Sequence, residues 1–168
     1  SLSEAAKEKN VSIEKRVHKA KELIDEALEE HFILWHDLEA ERHEIKKQVP
    51  EAVDIFGSME LDEREKRTID FSEGRCRIFA TKKSLSGSGC NFQKHCNRAI
   101  FVGIDYEFND FIQAIHRIYR FLQTKQVVID IIYTEAEEPI YKTLMEKWKQ
   151  HNKLQENIGD TALYDVIE

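Results

Sequence analysis

The strongest constraint on this chain is an alternation. Five short apolar runs of strand length recur along it, and most lead into a stretch of helical period. HFILWH (31–36) and QVVIDIIY (126–133) are apolar at nearly every position. A strand with one wet face alternates polar and apolar residues, whereas an unbroken apolar strand is covered on both sides. EAVDIF (51–56), CRIFAT (76–81) and RAIFVG (98–103) are the other three runs. Helices are predicted over 12–30 with Ser12 as N-cap, over 37–49 with Asp37 as cap and Pro50 as stop, and over 61–74 ending at Gly74. Two more are predicted, over 109–123 with Asn109 as cap and over 135–155 with Pro139 in the first turns. Strands alternating with helices predict an α/β fold, a three-layer α-β-α sandwich around a mostly parallel sheet. Ligands in such sheets sit at the carboxyl ends of the strands. The expected division is an N-terminal helix (1–30), one α/β domain (31–155) and a tail (156–168) with no firm signal.

Charge narrows the partners. The net charge is −7 over 168 residues. Residues 75–125, however, hold nine Lys or Arg against three acids, a local +6 that leaves −13 on the rest. A basic segment on an acidic body can still meet phosphate. No apolar run is long enough to cross a membrane, so no membrane partner is expected, and no basic leader precedes an apolar stretch. Three cysteines without disulfide-like spacing fit a reducing compartment, which predicts a cytoplasmic protein, or a nuclear one in a eukaryote. Cys90, His95 and Cys96 lack the spacing of a zinc site, and no metal is expected there.

Two segments carry chemistry. ATKKSLSGSGCNFQ (80–93) offers hydroxyls at Thr81, Ser84, Ser86 and Ser88, charge at Lys82 and Lys83, and close backbone approach at Gly87 and Gly89. That combination suits a phosphate cradle, although a polar turn reads the same way. It is not a P-loop of the G-x-x-x-x-G-K-[ST] type. QAIHRIYRF (113–121) sets Gln113, Arg117 and Arg120 in an apolar run. In a helix these three share one stripe, a pattern that an ordinary surface helix also shows. No nucleophile–base pair stands out. His31, His36 and His43 read as packing or surface residues, and Glu135, Glu137 and Glu138 as a helix N-terminus.

Together these segments resemble the second RecA-like lobe of superfamily-two helicases, most closely its Swi/Snf-like branch. The match runs over about residues 31–148. HFILWHDLEAERHEI resembles the family's fourth motif, ATKKSLSGSGCNFQ its fifth and QAIHRIYRFLQ its sixth. His116 stands where the family often has Gly or Asp, and Phe121-Leu122 replaces its usual Ile-Gly. The resemblance implies an ATP-dependent DNA helicase or translocase, with double-stranded DNA rather than RNA as partner. It implies that Arg117 and Arg120 reach the γ-phosphate of ATP, with Gln113 orienting them and Arg120 as arginine finger. Gly89 and Asn91 would lie near the nucleotide, and Thr81, Lys82, Lys83 and Ser84 on the nucleic-acid backbone. ATP and Mg would be held mainly by an N-terminal RecA-like lobe of the same polypeptide. That lobe's phosphate loop is absent from this sequence, so this chain alone is expected to be inactive, with no tightly bound cofactor. The other reading is a stand-alone, non-catalytic α/β module that binds nucleotide or nucleic acid. A small-molecule enzyme is a weaker third, because it needs a base–nucleophile pair.

Overall fold

A computed structural model describes the backbone of residues 2–86, 91–154 and 161–167. Six strands form one sheet: β1 (Phe32–His36), β2 (Val53–Asp54), β3 (Ile78–Lys82), β4 (Arg98–Phe101), β5 (Val127–Tyr133) and β6 (Thr161–Ile167). Their order is β2-β3-β1-β4-β5-β6, and every pairing is parallel. The expected three-layer α/β architecture with its parallel sheet is therefore present. β6 was not legible in the sequence: the segment expected to be tail joins the sheet edge beside β5.

The apolar runs behave as the two-sided rule requires. In β1, Phe32 and Leu34 face one layer and Ile33 and Trp35 the other, and all are fully buried. One layer holds α2 (Ile13–Asp25) and α3 (Glu39–Gln48). The other holds α4 (Leu61–Ser72), α5 (Phe108–Ile115) and α6 (Glu138–Leu154). A further helix, α1 (Leu2–Val11), precedes α2, so the predicted single N-terminal helix is two. α4 stops near Gly74, whose φ of +78° is cheap only for glycine.

The N-terminal helices are fastened by a buried guanidinium. Arg16 of α2, with no exposed surface, donates to Glu41 Oε2 at 2.6 Å and to Ser12 Oγ at 2.8 Å, and also to the carbonyls of Val102 and Lys9. Glu41 Oε1 in turn accepts from the amides of Asp37 (2.8 Å) and Leu38 (2.9 Å). Glu41 thus satisfies the N-terminus of α3, the task expected of Asp37, whose own carboxylate is engaged elsewhere. Gly103 follows β4 against this pair. A Cβ there would lie 2.5 Å from Glu41 Oε2.

Candidate nucleotide and nucleic-acid site

The predicted helix over 109–123 is the main departure. α5 runs from Phe108 to Ile115 only, and Glu107 rather than Asn109 is at its N-cap. Beyond it the chain descends in tight turns, with Arg117 N donating to Ala114 O and Ile118 N to Ile115 O. Arg117 and Arg120 therefore do not share a helix face. Ile112, Ile115 and Tyr119 are buried, but Leu122 is 73% exposed beside Phe121 at 75%. Leu122 also has a φ of +74°, a region costly for a branched side chain.

Two long-range contacts set this turn. Phe92 N donates to Arg117 O at 2.8 Å, and Arg120 Nη1 donates to the side-chain carbonyl of Asn91. Asn91 is itself anchored, its backbone carbonyl accepting from Ser72 Oγ at 3.0 Å. Gln123 Nε2 closes the turn onto Cys96 O at 3.1 Å and Ile118 O at 2.9 Å. Asn91, Arg117 and Arg120 are thus brought together beside the segment leading into β4, on the α5 side of the sheet. Gln113 lies on the exposed side of α5, before the turn. Gly89, with Gly87, Ser88 and Cys90, lies outside the described residues. Arg117 is 8% exposed, so its carbon stem is packed into the lobe.

Thr81, Lys82, Lys83 and Ser84 form a second group, at the carboxyl end of β3, where parallel sheets place ligands. Thr81 is buried, opposite Trp35 in the neighbouring strand. Ser84 is exposed, and Lys82 pairs with Glu39 at 3.3 Å on the surface. Lys83 turns inward instead. Only 4% exposed, it meets Asp37 at 2.9 Å and Asp105 at 3.3 Å. Lys9 of α1 completes the cluster through Asp37 Oδ2 at 2.7 Å and the carbonyl of Ile104 at 3.0 Å. Burial alone would lower the pKa of Lys83, but the two carboxylates outweigh it and hold it above the ordinary lysine value. Burial likewise works to raise Asp37, and Lys83 and Lys9 bring it below the usual carboxylate range. This arrangement spends Lys83 on holding loops together, where the sequence suggested a phosphate contact.

The local +6 is also largely consumed. Arg75, Arg77, Lys82, Lys83, Lys94 and Arg98 all make ion pairs, with Asp70, Glu51, Glu39, Asp37, Glu73 and Glu30 among their partners. Cys96 points its thiol at the carbonyls of His31 and Arg98, and burial pushes its pKa up to about 12. His36, buried at the end of β1, is pushed down to about 4 by its loss of solvent. Among the described residues no three His, Cys, Asp or Glu groups converge as metal ligands. No helix in them is long and apolar enough to cross a membrane. Periodicity could not have revealed the Lys9–Asp37–Lys83–Asp105 cluster, whose members come from four separate segments.

Neither a family model nor a curated protein sequence matches the chain, and the likeness to known proteins is structural. The C-terminal part of the Fun30 ATPase domain superposes with a TM-score of 0.67 at 21% identity, over 77% of this chain and 44% of that one. S. cerevisiae Dbp5 bound to RNA and ADP BeF3 gives 0.68 at 17% identity, over 90% of this chain and 38% of that one. The C-terminal domain of the DEAD-box protein Dbp5 gives 0.68 at 15% identity, over 90% and 83%. The chain spans less than half the length of the first two. Its fold is shared with the C-terminal part of the Fun30 ATPase domain and the C-terminal domain of Dbp5.

Proposed function

We propose that the chain is the C-terminal lobe of an ATP-dependent DNA translocase or helicase, acting on ATP bound by an N-terminal lobe of the same polypeptide. The observation that carries this reading is the anchoring of the R-x-x-R turn. Arg117 is tied through its carbonyl to Phe92, and Arg120 through its guanidinium to Asn91. A guanidinium pre-oriented by its own protein loses less conformational freedom when it meets a phosphate. In this reading Arg120 is the arginine finger, stabilising charge that develops on the departing phosphoryl group. Arg117 lines the same phosphate and Gln113 orients it. Asn91 holds Arg120 until the lobes close. The sequence has no G-x-x-x-x-G-K-[ST] loop and no metal-ligand cluster occurs among the described residues, so in this reading ATP and Mg are held mainly by the N-terminal lobe.

Nucleic acid would be held at the carboxyl end of β3. Ser84 and Lys82 are the accessible groups there, with Thr81 beneath them. Such contacts fix position and do not read sequence. In this reading the resemblance of ATKKSLSGSGCNFQ and QAIHRIYRFLQ to the Swi/Snf-like branch favours double-stranded DNA, whereas the Dbp5 structure carries RNA.

The test is Arg120→Ala in the complete two-lobe protein. ATP hydrolysis stimulated by DNA should fall by roughly 10³-fold or more, the scale of an arginine finger, with ATP binding retained. Turnover within a few-fold of the wild type would refute the finger. Stimulation by RNA and not by DNA would reassign the substrate.

A further inference from the structure

His116 and His151 are the only two imidazoles in the described structure whose ring nitrogens meet. His116 Nε2 lies 3.1 Å from His151 Nε2, joining the start of the arginine turn to α6. His116 Nδ1 lies 2.9 Å from Tyr119 O. A carbonyl only accepts, so Nδ1 carries the hydrogen. In the neutral ring Nε2 is then the acceptor, and His151 Nε2–H is the donor. One added proton leaves an N–H donor facing a bare nitrogen, so the contact survives it. Only when both rings are protonated do two N–H groups stand head to head.

We propose that His116 and His151 form an imidazole pair that positions the arginine-bearing turn against α6, and that protonation of both rings releases the turn. For its catalytic consequence the proposal rests on the reading of Arg117 and Arg120 given above. Aromatic rings and positive charges surround His116. Trp148 lies 6.2 Å from it, ring to ring, and Tyr119 at the same distance. Arg120 on its own turn and His151 on α6 add positive potential, and Lys147 of α6 sits over the Phe108 ring of α5. Among the described residues no carboxylate pairs with either imidazole. Burial first, then His151 and Arg120, lower the His116 pKa from its ordinary 6.5, against the Tyr119 carbonyl, which raises it. A histidine held neutral stabilises the fold above its unfolded pKa, and that contribution is lost as pH falls below about 6.5. His116 lies one residue before Arg117 and bonds the carbonyl next to Arg120, so losing the pair disturbs both arginines.

NMR of this chain between pH 8 and 5, without nucleotide, tests the coupling. The imidazole Cε1–H resonances of His116 should titrate with a midpoint below 6.5. The Arg120 Nε–H resonance should shift with the same midpoint, while far-UV circular dichroism stays constant. His151→Gln retains an N–H donor for His116 and cannot gain charge. In that variant the Arg120 resonance should become independent of pH. An Arg120 resonance that does not move while His116 titrates, or that moves identically in His151→Gln, overturns the proposal. Because no ATP is present, these outcomes are separate from those of Arg120→Ala: the latch can fail with the finger intact, and the reverse.

Discussion

Gly103→Ala should damage the lobe far more than a single added methyl suggests. The added Cβ would lie 2.5 Å from Glu41 Oε2 and 2.9 Å from Arg16 Nη1. Both side chains are fully buried, and they are 2.6 Å apart. Neither can swing into solvent, because Arg16 is also held by Ser12, Val102 and Lys9, and Glu41 by the Asp37 and Leu38 amides. Overpacking a tight interior costs about 1–3 kcal/mol, and uncoupling one partner of a buried ion pair about 3–5 kcal/mol. The methyl displaces the carboxylate without removing it, so the expected loss is about 2–4 kcal/mol. With a urea m-value of about 2 kcal/mol/M for a small domain, the unfolding midpoint should fall by about 1–2 M. Urea titration followed by circular dichroism reads this directly. Gly57→Ala is the control: nothing lies within 4 Å of its Cβ, and it should be near neutral. In an Arg16→Met/Glu41→Ala background, where the obstacle is gone, the cost of Gly103→Ala should nearly vanish. A loss below about 0.5 kcal/mol in the wild-type background, or an equal loss in both backgrounds, refutes the steric argument.

Two other substitutions test the site's surroundings. Leu122→Gly should stabilise the lobe by about 1 kcal/mol, because relief of the φ +74° strain (about 1–2 kcal/mol) exceeds the entropic penalty of glycine, and a side chain 73% exposed gives up little burial; a thermal melt showing a lower midpoint would contradict this. Lys83→Met leaves Asp37 buried with Lys9 alone and should cost about 2–3 kcal/mol near neutral pH. Because the Lys83 pKa is raised in the fold, its contribution is complete below the ordinary lysine value of 10.5 and is lost as pH climbs above it. Wild type and Lys83→Met should therefore converge in stability at strongly alkaline pH, and a constant difference across that range would exclude the ion pair as the cause.

The parts of the fold legible in the sequence are those that packing alone decides. β1, β3 and β5 are apolar on successive residues because helices cover both faces, and that signature is local. β2 shrank to Val53–Asp54, since Asp54 turns to Arg42 and Arg67 instead of extending the ladder. β6 was missed although TALYDVI is apolar at five of seven positions, because no helical stretch follows it to complete the strand–helix alternation. The buried polar groups were illegible for another reason. Arg16 reads as the charged side of an amphipathic helix, and only the arrival of Glu41 and the Val102 carbonyl converts it into a core residue. The basic segment misled in the opposite sense: its charges answer acids elsewhere in the chain, and a count along the sequence cannot see which are already matched.

The arginine turn shows how a local rule and a tertiary contact compete. Residues 109–123 carry helical period, and propensity alone continues α5 through both arginines. A continuing helix would need the Arg117 carbonyl for an amide four residues on. In the fold that carbonyl accepts from Phe92 N, and the His116 ring takes the Tyr119 carbonyl. With two acceptors captured, the helix stops at Ile115 and the chain passes through tight turns to the strained Leu122. The R-x-x-R spacing suggested a shared helical face; the Arg117 backbone and the Arg120 side chain are instead gathered by separate anchors on residues 92 and 91. That difference has a consequence for how the turn works. A helix holds its side chains wherever the helix goes, whereas a turn held by an amide, a side-chain carbonyl and an imidazole can be moved by whatever competes for those three groups. A phosphate competing with Asn91 for Arg120 is one such event, and protonation of both His116 and His151 is another.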